Sequence, residues 1–471
     1  MNKLTAIMAA ALMTASAADV QADVVGLKTN KTVGETIALT ANAGVKAQLV
    51  WSNGDTEEIA FDGKPQSITV KADSLALTTT AGSLTRFYIN SAGLVNLNVS
   101  GATALQKLFC ADNSLSTLNL TANTRLSELD CQGNALTALT LRSGTNLTYL
   151  NCADNKIADL TYSTPSSLQT LVVSNNAVDT LNYQTNMRSL QTLWAGGNAL
   201  RVVNLSYSKQ LKNIVAPGNK LVKVQLAATP LLTDVWLERN SLTELDLSAA
   251  SPKLVALSVN DNPALSTILW DKKCASTLRY FYGQNAQLFF NSFPTLSDNL
   301  TAVLAPQADH FLTDRIVVDT QQDWSDVLYR NAFGVNLSLQ ATVTDATGTA
   351  LERGASKDYY YVTGKWTFFK MFDGVSITAT TARYPDLTLH IKPFDVTDAT
   401  GIDSAPTTGG LTFAATAGTL TATATKAASV RVYDTAGRCV ISADVAAGTH
   451  AWPLAAGIYV VNGKKILVPN F

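Results

Sequence analysis

The stretch "LSELDCQGNALTALTL", Leu126–Leu141, sets five leucines, one cysteine and one asparagine at fixed offsets. Its neighbours "LQKLFCADNSLSTLNL" (105–120) and "LTYLNCADNKIADLTY" (147–162) repeat those offsets, as does "LTDVWLERNSLTELDL" (232–247). Leu84, Leu105, Leu126, Leu147 and Leu168 stand 21 residues apart, and the series continues at Leu190, Leu211, Leu232, Leu254 and Leu278. A period this regular over ten units marks a repeat architecture, in which each unit buries its apolar side only against the next.

Each unit reads L-x-x-L-x-C/V/A-x-x-N-x-L-x-x-L-x-L, the leucine-rich repeat signature. Within it, x-L-x-L-x is expected as a short strand whose alternate side chains point inward, with successive strands stacked in parallel at about 4.8 Å. The Asn column (Asn113, Asn134, Asn155, Asn176, Asn198, Asn219, Asn240, Asn262) falls where the chain turns out of the strand. A buried amide there satisfies backbone groups that no regular structure covers, so the asparagines read as structural. Cys110, Cys131 and Cys152 share one inward column with Val173, Ala195, Ala216, Leu237 and Val259. A thiol that alternates with Val and Ala is acting as a small apolar filler. In-register side chains run parallel, which suits poorly the near-perpendicular dihedral of a disulfide, so free buried thiols are expected.

At these residues, from Leu84 to about Phe293, the chain resembles the internalin-like leucine-rich repeat proteins of Gram-negative anaerobes. The resemblance implies binding and display at the cell surface, with no catalytic residue to carry over.

The 471 residues carry a net charge of −1 and only 15% charged residues. No global field steers such a chain to nucleic acid or to an anionic membrane. The N-terminus "MNKLTAIMAAALMTASAADVQAD" has a basic start, a short apolar run and small residues, the pattern of a secretory leader (1–22) with cleavage after Ala17 or Ala22. No apolar run is long enough to anchor the chain as a membrane-spanning helix. Export to the outer-membrane surface or the medium is expected.

A solenoid exposes both ends of its stack, and the flanks read as covers. Residues 23–83 alternate in strand fashion around turns such as Asn53-Gly54-Asp55 and are expected to form an N-terminal β cap. Residues 298–400 carry strand-like, β-branched runs that fit an antiparallel β-sandwich. There Tyr359, Tyr360, Tyr361, Trp366, Phe368 and Phe369 read as sandwich core, with a sugar-binding platform as the alternative. Residues 401–471 make a short terminal β domain. Its Val432–Arg438 (VYDTAGR), Gly457-Ile458-Tyr459 and Lys464–Val468 resemble the C-terminal sorting domain of type IX secretion, although the chain ends in Pro469-Asn470-Phe471 instead of a basic terminus. The fold class expected is thus mainly β: a leucine-rich repeat solenoid of about ten coils, an N-terminal β cap, a C-terminal β-sandwich and a short terminal β domain.

Convergent catalytic chemistry is not visible. The three histidines, His310, His390 and His450, lie outside the repeats without zinc-ligand spacing, and no nucleophile elbow or phosphate loop occurs. No cofactor, no metal and no enzymatic activity are expected. Function then falls to the outward positions of the strands, a concave sheet of roughly ten rungs and about 43 Å. Their central column reads Tyr88, Phe109, Asp130, Asn151, Val172, Trp194, Val215, Trp236, Ser258, Tyr282. Aromatic and Arg side chains on a rigid sheet make binding anchors, which selects Tyr88, Phe109, Tyr149, Trp194, Trp236, Arg239, Tyr280 and Tyr282 as partner-binding candidates. The occupant expected is an extracellular protein, as for an adhesin or receptor. A glycan of a polysaccharide-use system is the alternative.

Overall fold

The computed structural model describes residues 22–139, 146–160, 166–181, 187–226, 229–249, 252–295, 299–397, 411–434, 439–461 and 464–468. The leader up to residue 21, the 435–438 part of the sorting-like motif and Pro469–Phe471 lie outside them.

Each 21-residue unit contributes one three-residue strand, and these strands stack in register. Leu108, Leu129 and Leu150 are successive Cα partners, as are Phe109, Asp130 and Asn151 on their outward side. The middle residues Phe87, Leu108, Leu129, Leu150, Leu171, Leu193, Ile214, Val235, Leu257 and Phe281 are completely buried. At roughly 1.5–3 kcal/mol for each large side chain withdrawn from water, this column is a major source of cohesion between coils. A second column (Leu115, Leu136, Ile157, Val178, Leu200, Leu221, Leu242, Leu265, Leu288) is buried equally. The strands belong to a 13-stranded sheet, parallel from Arg86–Tyr88 to Thr301–Val303 and closed at its other end by two antiparallel strands, Thr36–Ala41 and Gln66–Thr69. On the opposite side of the coils, short parallel pairs form between Val202–Asn204 and Lys223–Gln225, and between Glu244–Asp246 and Thr267–Leu269. This is a mainly β leucine-rich repeat solenoid.

Both exposed ends of the stack are covered. At the start, a five-stranded sheet runs in the order Thr56–Ala60, Lys46–Trp51, Ser74–Ala81, Val24–Thr29, Leu94–Asn98. Its last strand is the far side of the first coil, while Thr36–Ala41 pairs with the near side at Arg86–Tyr88. Polar groups finish the junction: Leu84 N–H donates to the Asp23 carboxylate (2.6 Å), and Thr85 N–H to Asn42 Oδ1 (2.9 Å). Burial pushes the Asp23 carboxyl above the usual range.

At the other end the structure departs from the boundaries expected. The solenoid does not stop at Phe293; Thr301–Val303 adds a rung parallel to Tyr280–Tyr282. That rung escapes the leucine pattern because Ala302 holds the inward strand position. Nor is 298–400 all sandwich. The compact unit that holds the solenoid ends at Ala308 but takes in Val327–Leu339 and Thr380–Leu389. These two segments supply an aromatic cap. Trp270 meets Phe281 and Phe333 edge-on, Tyr384 stacks on Phe290, and the Tyr384 hydroxyl donates to Pro294 O (3.0 Å). Burial raises Tyr384 to about 12.

The second unit comprises Asp309–Asp326, Gln340–Ala379 and His390–Phe471. One sheet runs Arg315–Val317, Leu389–Thr397, Phe372–Thr381, Leu339–Thr344; a second runs Gln321–Asp323, Lys365–Phe368, Tyr359–Val362. Tyr359, Tyr361, Trp366 and Phe368 are buried and stack on one another, so they are core; Tyr360 is exposed and Phe369 half-buried. From Leu411 onward, a three-stranded and a four-stranded antiparallel sheet enclose Leu411, Phe413, Leu420, Val430, Val432 and Val461.

The outward face of the coils as a candidate binding site

The asparagine ladder sets how rigid the face is. Asn155 Nδ2 donates to Cys131 O (3.0 Å), Cys152 O (3.1 Å) and Ala153 O (3.0 Å), while its Oδ1 accepts from Leu136 N–H (2.9 Å). Asn113, Asn134, Asn176, Asn198, Asn219, Asn240 and Asn262 make the same four contacts at their own positions. Each amide thus ties its own coil to the one before. Ala286 interrupts the ladder, and the N–H it cannot serve, that of Leu265, donates instead to Asn262 O (2.9 Å). Gln307 then resumes it, donating to Gly283 O (2.6 Å) and Leu304 O and accepting from Leu288 N–H (3.0 Å). Sequence reading missed Gln307 because it looked for asparagine alone.

The residue before the amide column is left-handed in ten successive coils, from the one that carries Ala92 in that column to the one that carries Ala286. Ser91, Asp112, Gly133, Asp154, Asn175, Gly197, Gly218, Arg239, Asp261 and Asn285 all have φ between 52° and 65°. Asp, Asn and Gly tolerate this region best, which explains the composition of the column. The signal was present in the sequence as a D/N/G column, unread. Arg239 is the misfit: exposed, with φ 54° and a long side chain.

Cys110, Cys131 and Cys152 are free, wholly buried thiols. Burial pushes Cys110 and Cys152 up to about 12 and Cys131 well above the ordinary thiol range, which removes them from redox or nucleophilic chemistry at neutral pH.

Of the residues singled out for binding, Trp194 is 48% and Tyr280 46% exposed, and Arg239 is exposed as well. Tyr88, Phe109, Tyr149, Trp236 and Tyr282 are half-buried. The rings pair on the face itself. Tyr88 and Phe109, on adjacent rungs, stack at 4.5 Å and 13°. Trp236 and Tyr282 stack at 6.3 Å across the rung that carries Ser258. Ser258 is buried there, contrary to the outward exposure expected, since its small side chain lies between the larger Trp236 and Tyr282. Asn151, also expected outward, is buried for a different reason. Its amide donates to Gln132 Oε1 (2.9 Å) and to Asp130 Oδ2 (3.3 Å), a polar mat lying flat on the strands. Burial raises the Asp130 carboxyl, against the lowering effect of the Gln132 N–H and the Asn151 amide.

The face is therefore divided. After the Tyr88–Phe109 stack its early rungs are polar, with the Lys107–Glu128 ion pair (2.7 Å) beside the Asp130–Asn151 mat. Its later rungs carry Val172, Trp194, Val215, Trp236, Tyr282 and Val303 in one column. Among the described residues, no group of three or more His, Cys, Asp or Glu is placed to hold a metal ion, and no helix is long and apolar enough to cross a membrane.

No protein-family model and no curated protein matches the sequence. Among solved structures, the chain is similar to the functional domain of InlJ from Listeria monocytogenes, described as including a cysteine ladder, at 18% identity over 66% of this chain and 90% of that one, TM-score 0.24. It is also similar to the internalin InlF from Listeria monocytogenes at 16% identity over 49% and 80%, TM-score 0.30. A third is the LRIM1/APL1C complex, at 19% identity over 45% of this chain and 40% of that one, TM-score 0.37.

Proposed function

We propose that the chain is a noncatalytic binding protein, exported and held at or released from the cell surface, whose later rungs dock an extracellular protein. The observation that carries this is the pair of open rings, Trp194 and Tyr280, on a sheet pinned coil to coil by the amide ladder. A large flat side chain on a rigid backbone loses little freedom on binding and removes much apolar surface from water. The anchors are Trp194, Trp236, Tyr280 and Tyr282, with Tyr88, Phe109, Tyr149 and Arg239 extending the footprint. Residues 1–22 act as the export leader, and the segment from Leu411 serves delivery in the manner of the sorting domain that its motifs resemble.

The test is binding of the full chain to arrays of extracellular proteins and of glycans, with Trp194→Ala/Trp236→Ala beside the parent. Hot-spot aromatics commonly contribute about 2 kcal/mol or more, so the double variant is expected to lose its protein ligands by more than tenfold while keeping its unfolding midpoint. Undiminished protein binding defeats the proposal. Trp-dependent capture of glycans alone gives the face to the competing occupant.

A further inference from the structure

The cap that closes the last coils is not made by the solenoid's own run of chain. After Ala308 the chain passes into the second unit, returns to the first for Val327–Leu339, leaves, returns for Thr380–Leu389 and leaves again. Both returns connect elements of the second unit. Val327–Leu339 starts just after Trp324, which packs on Trp366 (5.7 Å) and Phe394 (5.8 Å), and ends where strand Leu339–Thr344 begins. Thr380–Leu389 joins strand Phe372–Thr381 to strand Leu389–Thr397, its neighbour in one sheet.

What the two segments support is the strand that carries Tyr280 and Tyr282. Between those rings Phe281 is wholly buried, against Trp270 at 5.3 Å and Phe293 at 6.4 Å. Trp270 in turn meets Phe333 (6.1 Å), and Phe293 meets Tyr384 (5.7 Å). Ala332 N–H donates to Phe293 O (3.0 Å), and the Asn331 amide to Thr295 Oγ1 (2.8 Å). A segment released at both ends regains the conformational entropy that closure removed, so the cap persists only while the strands that tether it are folded. A repeat stack is stabilised coil against neighbouring coil, and it frays from an end left uncovered.

We infer that the second unit controls the later rungs: when its strands open, the cap loses its tethers, the last coils fray, and Tyr280 and Tyr282 leave the face while the early rungs stay in register. The control is reciprocal, because a partner bound to the later rungs stabilises the last coils and, through the cap segments, the strands that tether them. Its bearing on binding rests on the proposal that the later rungs dock the partner. Hydrogen exchange reads the coupling without any ligand, so its failure leaves that proposal standing.

Native-state exchange of the full chain is followed by mass spectrometry along a guanidinium series. Strands Lys365–Phe368, Tyr280–Tyr282 and Thr301–Val303 are expected to open in one common step, and Lys107–Phe109, Glu128–Asp130 and Tyr149–Asn151 in a later one. Phe368→Ala removes a ring that packs with Tyr359, Trp366 and Phe394, all in the second unit. It should raise exchange at Tyr280–Tyr282 by about tenfold or more and leave the three early strands within about twofold of the parent. Because the change lies in the second unit, loss of protection in the first reports the coupling even where the variant opens its own sheet completely. Parental protection at Tyr280–Tyr282 once Lys365–Phe368 has opened overturns the inference. So does a single step in which every rung opens together, since the later rungs are then not singled out.

Discussion

Replacing Asn155 by Ala removes four hydrogen bonds, yet the four losses are unequal. The carbonyls that its Nδ2 serves all have a second donor. Cys131 O also accepts from Asn134 Nδ2 (3.1 Å), Cys152 O from Asn176 Nδ2 (3.0 Å), and Ala153 O from Gly133 N–H (3.0 Å). Leu136 N–H has Asn155 Oδ1 as its acceptor at 2.9 Å, and Ala offers none. An orphaned buried N–H costs about 1–3 kcal/mol. The void left by the amide adds part of a further ~1 kcal/mol by the cavity rule for lost side-chain volume. The expected destabilisation of Asn155→Ala is about 3 kcal/mol, read from guanidinium unfolding followed by far-ultraviolet circular dichroism. Gln169→Ala, at an exposed position of the neighbouring coil, serves as the control and should fall within about 0.5 kcal/mol of the parent. An Asn155→Ala protein as stable as that control would refute the claim that the amides hold the coils together.

Leu150→Ala, in the fully buried column, should lose on the order of 2–5 kcal/mol in the same assay, and a loss below 1 kcal/mol would contradict its inward position. Native protein at pH 8 should react quickly with a thiol reagent at Cys439, which is exposed, whereas Cys110, Cys131, Cys152 and Cys274 should respond only after denaturation. With thiols raised to about 12 (Cys110, Cys152) and about 11 (Cys274), little thiolate exists at that pH, and fast native labelling of these three would reverse the assignment. Arg239→Gly removes a left-handed non-glycine residue and is expected to stabilise the fold by up to about 1 kcal/mol, measured as a raised unfolding midpoint; a lowered midpoint would show that the side chain contributes contacts that outweigh the strain.

The sequence carried the coil register almost completely, because the inward column admits little besides Leu, Ile, Val and Phe, and a one-residue slip would turn Leu129 to solvent. The amide column was equally readable, since no other side chain as short joins two N–H donors to a carbonyl acceptor. What escaped reading had no such uniqueness. Ala302 and Gln307 build the last rung without the signature residues, and the aromatic cap draws Phe333 and Tyr384 from segments far apart in the chain. At the candidate site, the alternation of strand positions identified which residues face outward but not which stay uncovered. Asn151 folds onto Asp130, and Ser258 lies between Trp236 and Tyr282, outcomes decided by neighbours one rung away and about 21 residues distant in sequence.

The doubled donors on the ladder carbonyls bear on how such a chain can change length. A whole coil inserted or deleted leaves every carbonyl with at least one amide from an adjoining coil, so duplication or loss in multiples of the period meets no unsatisfied backbone. The molecule is free to grow or shrink in whole steps, like a stack of identical tiles; one extra residue between Asn176 and Asn198 and one between Asn240 and Asn262 leave the ladder intact, and the Asn run ends where the step from Asn262 to Ala286 is three residues longer than the period.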